Sequence, residues 1–212
     1  MEMPKTIIES AMVISLDYGR VLAKKELVDS VEQVFPGAVK KDELTSKGEG
    51  VQLPPGVSID AGNYNFFVAS DKCVVKFRGL PITDEFMEVA LRHFGQWIKN
   101  RPPRRIVNVS YRETYLMPGT PNRLYSPPVA DCAFLGGDMH ALYRFRPSNA
   151  FLEVEQRHLR RRGEAEFSEM LRITSTSAKE EFPGEAYAFE MAELRQLTRQ
   201  AYYSVSSRER ED

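Results

Sequence analysis

The sequence predicts an α+β protein built on a mainly antiparallel sheet with two long amphipathic helices. Two observations predict it. A run of strand-like segments closes twice with a long helix, at 83–99 and again at 185–207. Between those helices most strands follow one another through short turns, without the helical crossovers of a parallel sheet. The pattern divides the chain, 1–212, into two related sheet-plus-helix halves, 1–103 and 104–205, of one compact unit with a fraying charged tail at 206–212.

The first strand spans 7–16. Ile8, Met12, Ile14 and Leu16 share one face and Ile7, Ala11 and Val13 the other, the pattern of a strand inside a sheet. After Asp17-Tyr18-Gly19 turns the chain, Leu27, Val31, Val34 and Phe35 recur at helical spacing. They predict a short helix within 21–35, ended by Pro36-Gly37. Residues 39–62 are polar and broken by Gly48, Gly50, Pro54, Pro55 and Gly56, and read as a loop, either a connector or a binding loop. Residues 63–78 read as a hairpin. Tyr64, Phe66 and Val68 alternate on one arm, Cys73, Val75 and Phe77 on the other, with Ser70-Asp71 between. Thr83 suits the N-cap of the first closing helix, and Asp84 and Glu85 favour its positive end. Phe86, Ala90, Phe94, Trp97 and Ile98 form its apolar stripe, and Pro102-Pro103 stops it.

The clearest strand is 104–116. Val107, Val109, Tyr111 and Tyr115 alternate with Asn108, Ser110, Arg112 and Thr114, one face buried and one polar. Pro118, Pro121, Pro127 and Pro128 mark 117–128 as a loop and as the boundary between halves. Segments 129–135 and 139–145 flank Gly136-Gly137-Asp138, a hairpin signal. Strands at 151–159 and 166–176 turn around Gly163. The last helix aligns Tyr187, Met191, Leu194, Ala201 and Val205, with Thr198 interrupting the stripe.

Composition sets limits. Hydrophobic residues make up 42% and charged residues 28%, ordinary for a globular protein. A net charge of -1 gives no global pull toward nucleic acid or anionic lipid. Two cysteines fit a reducing compartment. No apolar run approaches the roughly 20 residues of a membrane span, and the N-terminus lacks a signal-peptide pattern. The expectation is a cytoplasmic protein with no membrane segment and no cofactor.

Chemistry-bearing motifs are few. Gly48-Glu49-Gly50 and Gly136-Gly137 lack the Lys-Ser/Thr continuation of a phosphate loop. The cysteines and His93, His140 and His158 do not fall at zinc-ligand spacing. Cys132 and His140 stand on either side of a glycine turn, where a histidine could activate a thiolate. The plainer reading is a hairpin with an ordinary edge histidine. Glu153 and Glu155 lie about 7 Å apart on one face of a strand. Alternating with Leu152, Val154 and Gln156, they mark a solvent face more simply than a hydrolase pair. Arg157, Arg160, Arg161 and Arg162 form the densest basic cluster, a candidate for phosphate contact or a solvated tip that keeps an edge from aggregating. Tyr115, Tyr125 and Arg123, near the proline-rich loop, offer residue types common at protein interfaces.

The order of elements also resembles a sporadically distributed family of uncharacterised bacterial and phage proteins. The likeness rests on an opening strand after a proline (Ile7-Ile8-Glu9-Ser10-Ala11), a helix ending in Phe35-Pro36 and a mid-chain helix leading into the strand from Ile106 to Tyr115. A closing helix with a Ser-rich end, Leu194 to Arg208, completes it. Val109-Ser110-Tyr111-Arg112 stands where the family has an arginine-tyrosine-isoleucine-asparagine flavour. The resemblance implies a compact α+β protein, phage-encoded or cytoplasmic, and brings no catalytic residue. The leading functional expectation is a non-enzymatic adaptor that binds another protein and that can pair with its own copy. A nucleic-acid-binding module at 157–162 and a cysteine-dependent enzyme at Cys132 and His140 are the alternatives.

Overall fold

The computed structural model describes residues 7–38, 56–78, 82–118, 139–147, 149–160 and 167–207. They form β1 (Ile7–Asp17), α1 (Lys24–Glu32), β2 (Gly56–Asp60), β3 (Asn65–Ala69), β4 (Lys72–Arg78), α2 (Asp84–Asn100), β5 (Arg105–Pro118), β6 (Met139–Phe145), β7 (Ala150–Arg160), β8 (Phe167–Ser177) and α3 (Ala186–Ser207). The expected α+β class is the observed one. The strands make a single antiparallel sheet in the order β2-β3-β4-β1-β5-β8-β7-β6. Read outward from the centre, the described strands before α2 run first, fourth, third, second, and the described strands after it do the same. The two first strands, β1 and β5, meet at the centre and pair along most of their length.

β2 corrects the expected loop at 39–62. Prolines and glycines before it mask a short alternating segment in which Val57 and Ile59 are buried and pair with Val68 and Phe66 of β3. At Gly56 a Cβ would lie 2.4 Å from the end of the half-buried Phe67 ring, so any larger residue there would have to displace that ring. Residues 39–55 of that expected loop, the expected strand at 129–135 with its glycine turn, and most of the 117–128 loop lie outside the described residues.

All three helices lie on one face of the sheet. Leu27 and Val31 of α1, Phe94 and Trp97 of α2, and Met191 and Leu194 of α3 share one buried cluster with Met12, Ile14, Phe66, Val75 and Tyr111. Trp97 is its hub. The indole packs edge-on against Phe66 and Tyr18 and donates from Nε1 to Ser30 Oγ at 2.9 Å. α2 begins as its sequence predicts, with Thr83 Oγ1 accepting from the Phe86 N–H. Gly95 lets α3 come close, because a Cβ there would sit 3.1 Å from the Tyr187 hydroxyl, whose ring packs edge-on to Phe94. No helix of the described residues is long and apolar enough to cross a membrane.

Glu26 ties α1 to the end of α2. Its carboxylate accepts from Arg20, from the Ala23 N–H and from Arg101, the residue that follows α2. The Arg20 hydrogen bonds, followed by the Ala23 N–H, hold its pKa down to about 2. A depressed carboxylate stabilises the fold fully above its unfolded value of 4.5 and loses that effect as pH falls toward 2. Glu26→Gln should therefore melt below the parent at pH 6, with the difference closing between pH 4.5 and 2. A gap that stays constant across that range would show that the carboxylate's charge is not what stabilises.

Under α3 the sheet is unusually polar. Ser175 Oγ bonds Thr198 Oγ1 at 2.7 Å, and Ser177 Oγ donates to Glu190 at 2.6 Å, with Lys179 on the same carboxylate. Glu113, with 0% exposure, accepts from the hydroxyls of Tyr111 and Tyr115 and from Arg199. Burial is the main cause pushing both phenols up, with the Glu113 charge adding to it.

Candidate functional site: the helix-free face of the sheet

Strand alternation sends every second side chain to the face that no described helix covers. The register assembles those side chains into rows that cross the sheet. One row runs Asp60, Asn65, Lys76, Ala11, Arg112, Thr174, Glu153, Arg144. On one side of it lies Ser58, Phe67, Val74, Val13, Ser110, Thr176, Phe151. On the other lies Arg78, Glu9, Thr114, Arg172, Glu155, Leu142. A central ionic row thus has an aliphatic and hydroxyl-bearing row on one side and a second ionic row on the other.

The charges on this face are shared unequally. Glu9 pairs with both Lys76, at 3.8 Å, and Arg112, at 2.8 Å. Glu155 pairs with both Arg157, at 2.5 Å, and Arg172, at 2.9 Å. Arg144 takes Glu153. Lys72, opposite Ser15, and Arg78, opposite Glu9, add further cations. Cations outnumber carboxylates here although the chain's net charge is -1. Ala11 is fully buried between its cross-strand neighbours Lys76 and Arg112, as expected if their long stems lie flat over it.

Several expected site residues move. Tyr115, expected at a partner surface, is 1% exposed. It lies on the helix side of β5, stacks on Tyr202 with centroids 4.0 Å apart and donates to Glu113. It belongs to the core because it has the parity of Tyr111. Tyr125 and Arg123 lie outside the described residues. Of the basic cluster, Arg157 is exposed on the helix-free face, Arg160 ends β7 beside Phe167, and Arg161 and Arg162 lie outside the described residues. Cys132 also lies outside them, and His140 pairs in the ladder with Arg157 of β7. Glu153 and Glu155 do share the solvent face, with Leu152, Val154 and Gln156 buried behind them.

Other groups were invisible in the sequence. Tyr64 Oη meets His93 Nδ1 beside the Phe35 ring, bringing the first hairpin against α2. Burial lowers the His93 pKa and raises that of Tyr64 to about 12, so both are neutral near pH 7. Burial also pushes the Cys73 thiol well up, which makes it a poor nucleophile. Among the described residues no three His, Cys, Asp or Glu side chains group as metal ligands. A cleft of about 370 Å³ between α2 and the start of α3 is lined by Arg92, Gly95, Lys99, Glu185 and Tyr187.

No protein-family model matches the chain, and no curated protein matches it.

Proposed function

We propose that the chain is a non-enzymatic adaptor that receives a partner protein on the helix-free face of its sheet. The observation that carries this reading is the face itself. Strands from both halves build it, its rows mix aliphatic, hydroxyl and arginine side chains, and no described helix covers it. Arginine and aromatic groups on such a surface are the types enriched where proteins bind one another. The test is purification of the tagged chain from its native cells after nuclease treatment, with mass spectrometry. A stoichiometric protein should be recovered. Thr174→Trp, in the central ionic row beside Arg112, should lose it, and Glu85→Gln on α2 should keep it. A protein retained by both variants would place docking elsewhere.

A second reading is nucleic-acid binding along β7, favoured by Arg157 and the neighbouring Arg172. It requires an affinity that falls steeply with salt and weakens in Arg157→Ala/Arg172→Ala. Binding that ignores salt would exclude it.

A further inference from the structure

Resting on that adaptor reading, we propose that the helix-free face selects a partner protein presenting an acidic strip beside an apolar one. Charge complementarity carries the proposal. Glu9 is shared by Lys76 and Arg112, and Glu155 by Arg157 and Arg172. Each of these two carboxylates is shared by two cations, so incoming carboxylates find arginine forks suited to bidentate pairing. The excess is local, since the whole chain has a net charge of -1. The neighbouring row supplies Phe67, Val74, Val13 and Phe151, a strip to be covered with apolar surface.

The same rows disfavour a nucleic acid. Glu9, Glu153 and Glu155 interrupt the cations, so a continuous phosphate backbone crossing the face would meet carboxylates.

The test places a benzophenone amino acid at position 174 in the full chain, expressed in its native cells. It compares the parent with Lys76→Gln/Arg112→Gln and with Glu9→Gln. The proposal expects a protein adduct whose yield drops about tenfold when the two cations are removed. It expects the yield to rise when Glu9 is neutralised. The crosslinked partner peptide should map to a segment bearing both Asp or Glu and apolar residues. Unchanged yield in the double variant would overturn the acidic partner while leaving the adaptor reading intact. An adduct that disappears with nuclease would overturn both in favour of nucleic acid. No adduct from position 174, with one from position 85 on α2, would overturn the docking face itself. Melting curves establish that the variants fold, and Arg78→Gln, exposed opposite Glu9, is the substitute should the double variant not fold.

Discussion

Replacing Trp97 with alanine is expected to destabilise the chain by about 3–5 kcal/mol, the range for deleting a large buried aromatic. Trp97 has 0% exposure and joins α2 to β3, to α1 and to the turn after β1 through Phe66, Ser30 and Tyr18. No neighbour can fill the space without leaving its own contacts. Trp97→Phe should recover much of the loss, since it restores part of the volume and loses only the indole bond to Ser30 Oγ, which keeps its bond to the Leu27 carbonyl at 2.8 Å. Ser30→Ala should cost about 1–3 kcal/mol by leaving the indole N–H buried without an acceptor. Urea unfolding of the three variants checks the order. A Trp97→Ala variant within about 1 kcal/mol of the parent would mean that the aromatic cluster is not a close-packed core.

That hub was half legible. Periodicity put Trp97 and Phe94 on the buried stripe of α2, and Thr83 marked where the helix starts. The partners were not legible, because Phe66, Tyr18 and Ser30 come together only through the sheet order. Alternation within one strand says which side chains share a face. It is silent on which strands become neighbours, since the pairing of β1 with β5 closes a loop of almost a hundred residues. The candidate site depends on the same long-range step. Arg112 and Thr114 could be read as a polar face of β5. That Lys76 and Glu9 would lie beside them could not.

Where alternation failed, a local cue competed with it. β2 was hidden because Pro54, Pro55 and Gly56 outweighed two buried positions, Val57 and Ile59. Tyr115 was placed on a surface for its residue type although its parity matched Tyr111. Glu113 was the subtler omission. A carboxylate between two tyrosines of the buried parity belongs to the core by spacing, and only its charge argued otherwise.

Glu113→Leu is the sharper test, with an expected cost of about 3–5 kcal/mol even though it adds an apolar side chain to a buried place. The variant leaves two tyrosine hydroxyls without their acceptor and Arg199 without its counter-charge, although Arg199 keeps the Ile82 carbonyl at 2.8 Å. Removing the whole polar group at once, in Glu113→Leu/Tyr111→Phe/Tyr115→Phe/Arg199→Met, should return most of that stability, because no buried donor is then orphaned. Urea unfolding of the single and quadruple variants measures the difference. A single variant as mild as Tyr115→Phe would mean that water reaches Glu113. The non-additivity expected here bears on α3. Its second half meets the sheet through the Tyr202–Tyr115 stack and through two polar pairs, Glu113–Arg199 and Ser175–Thr198. A slip of one helical turn would break both polar pairs, whereas an apolar interface would tolerate it. The polar pairs thus fix the register of α3 at a cost in raw stability. The quadruple variant should show this as near-parent stability with broadened amide resonances along α3.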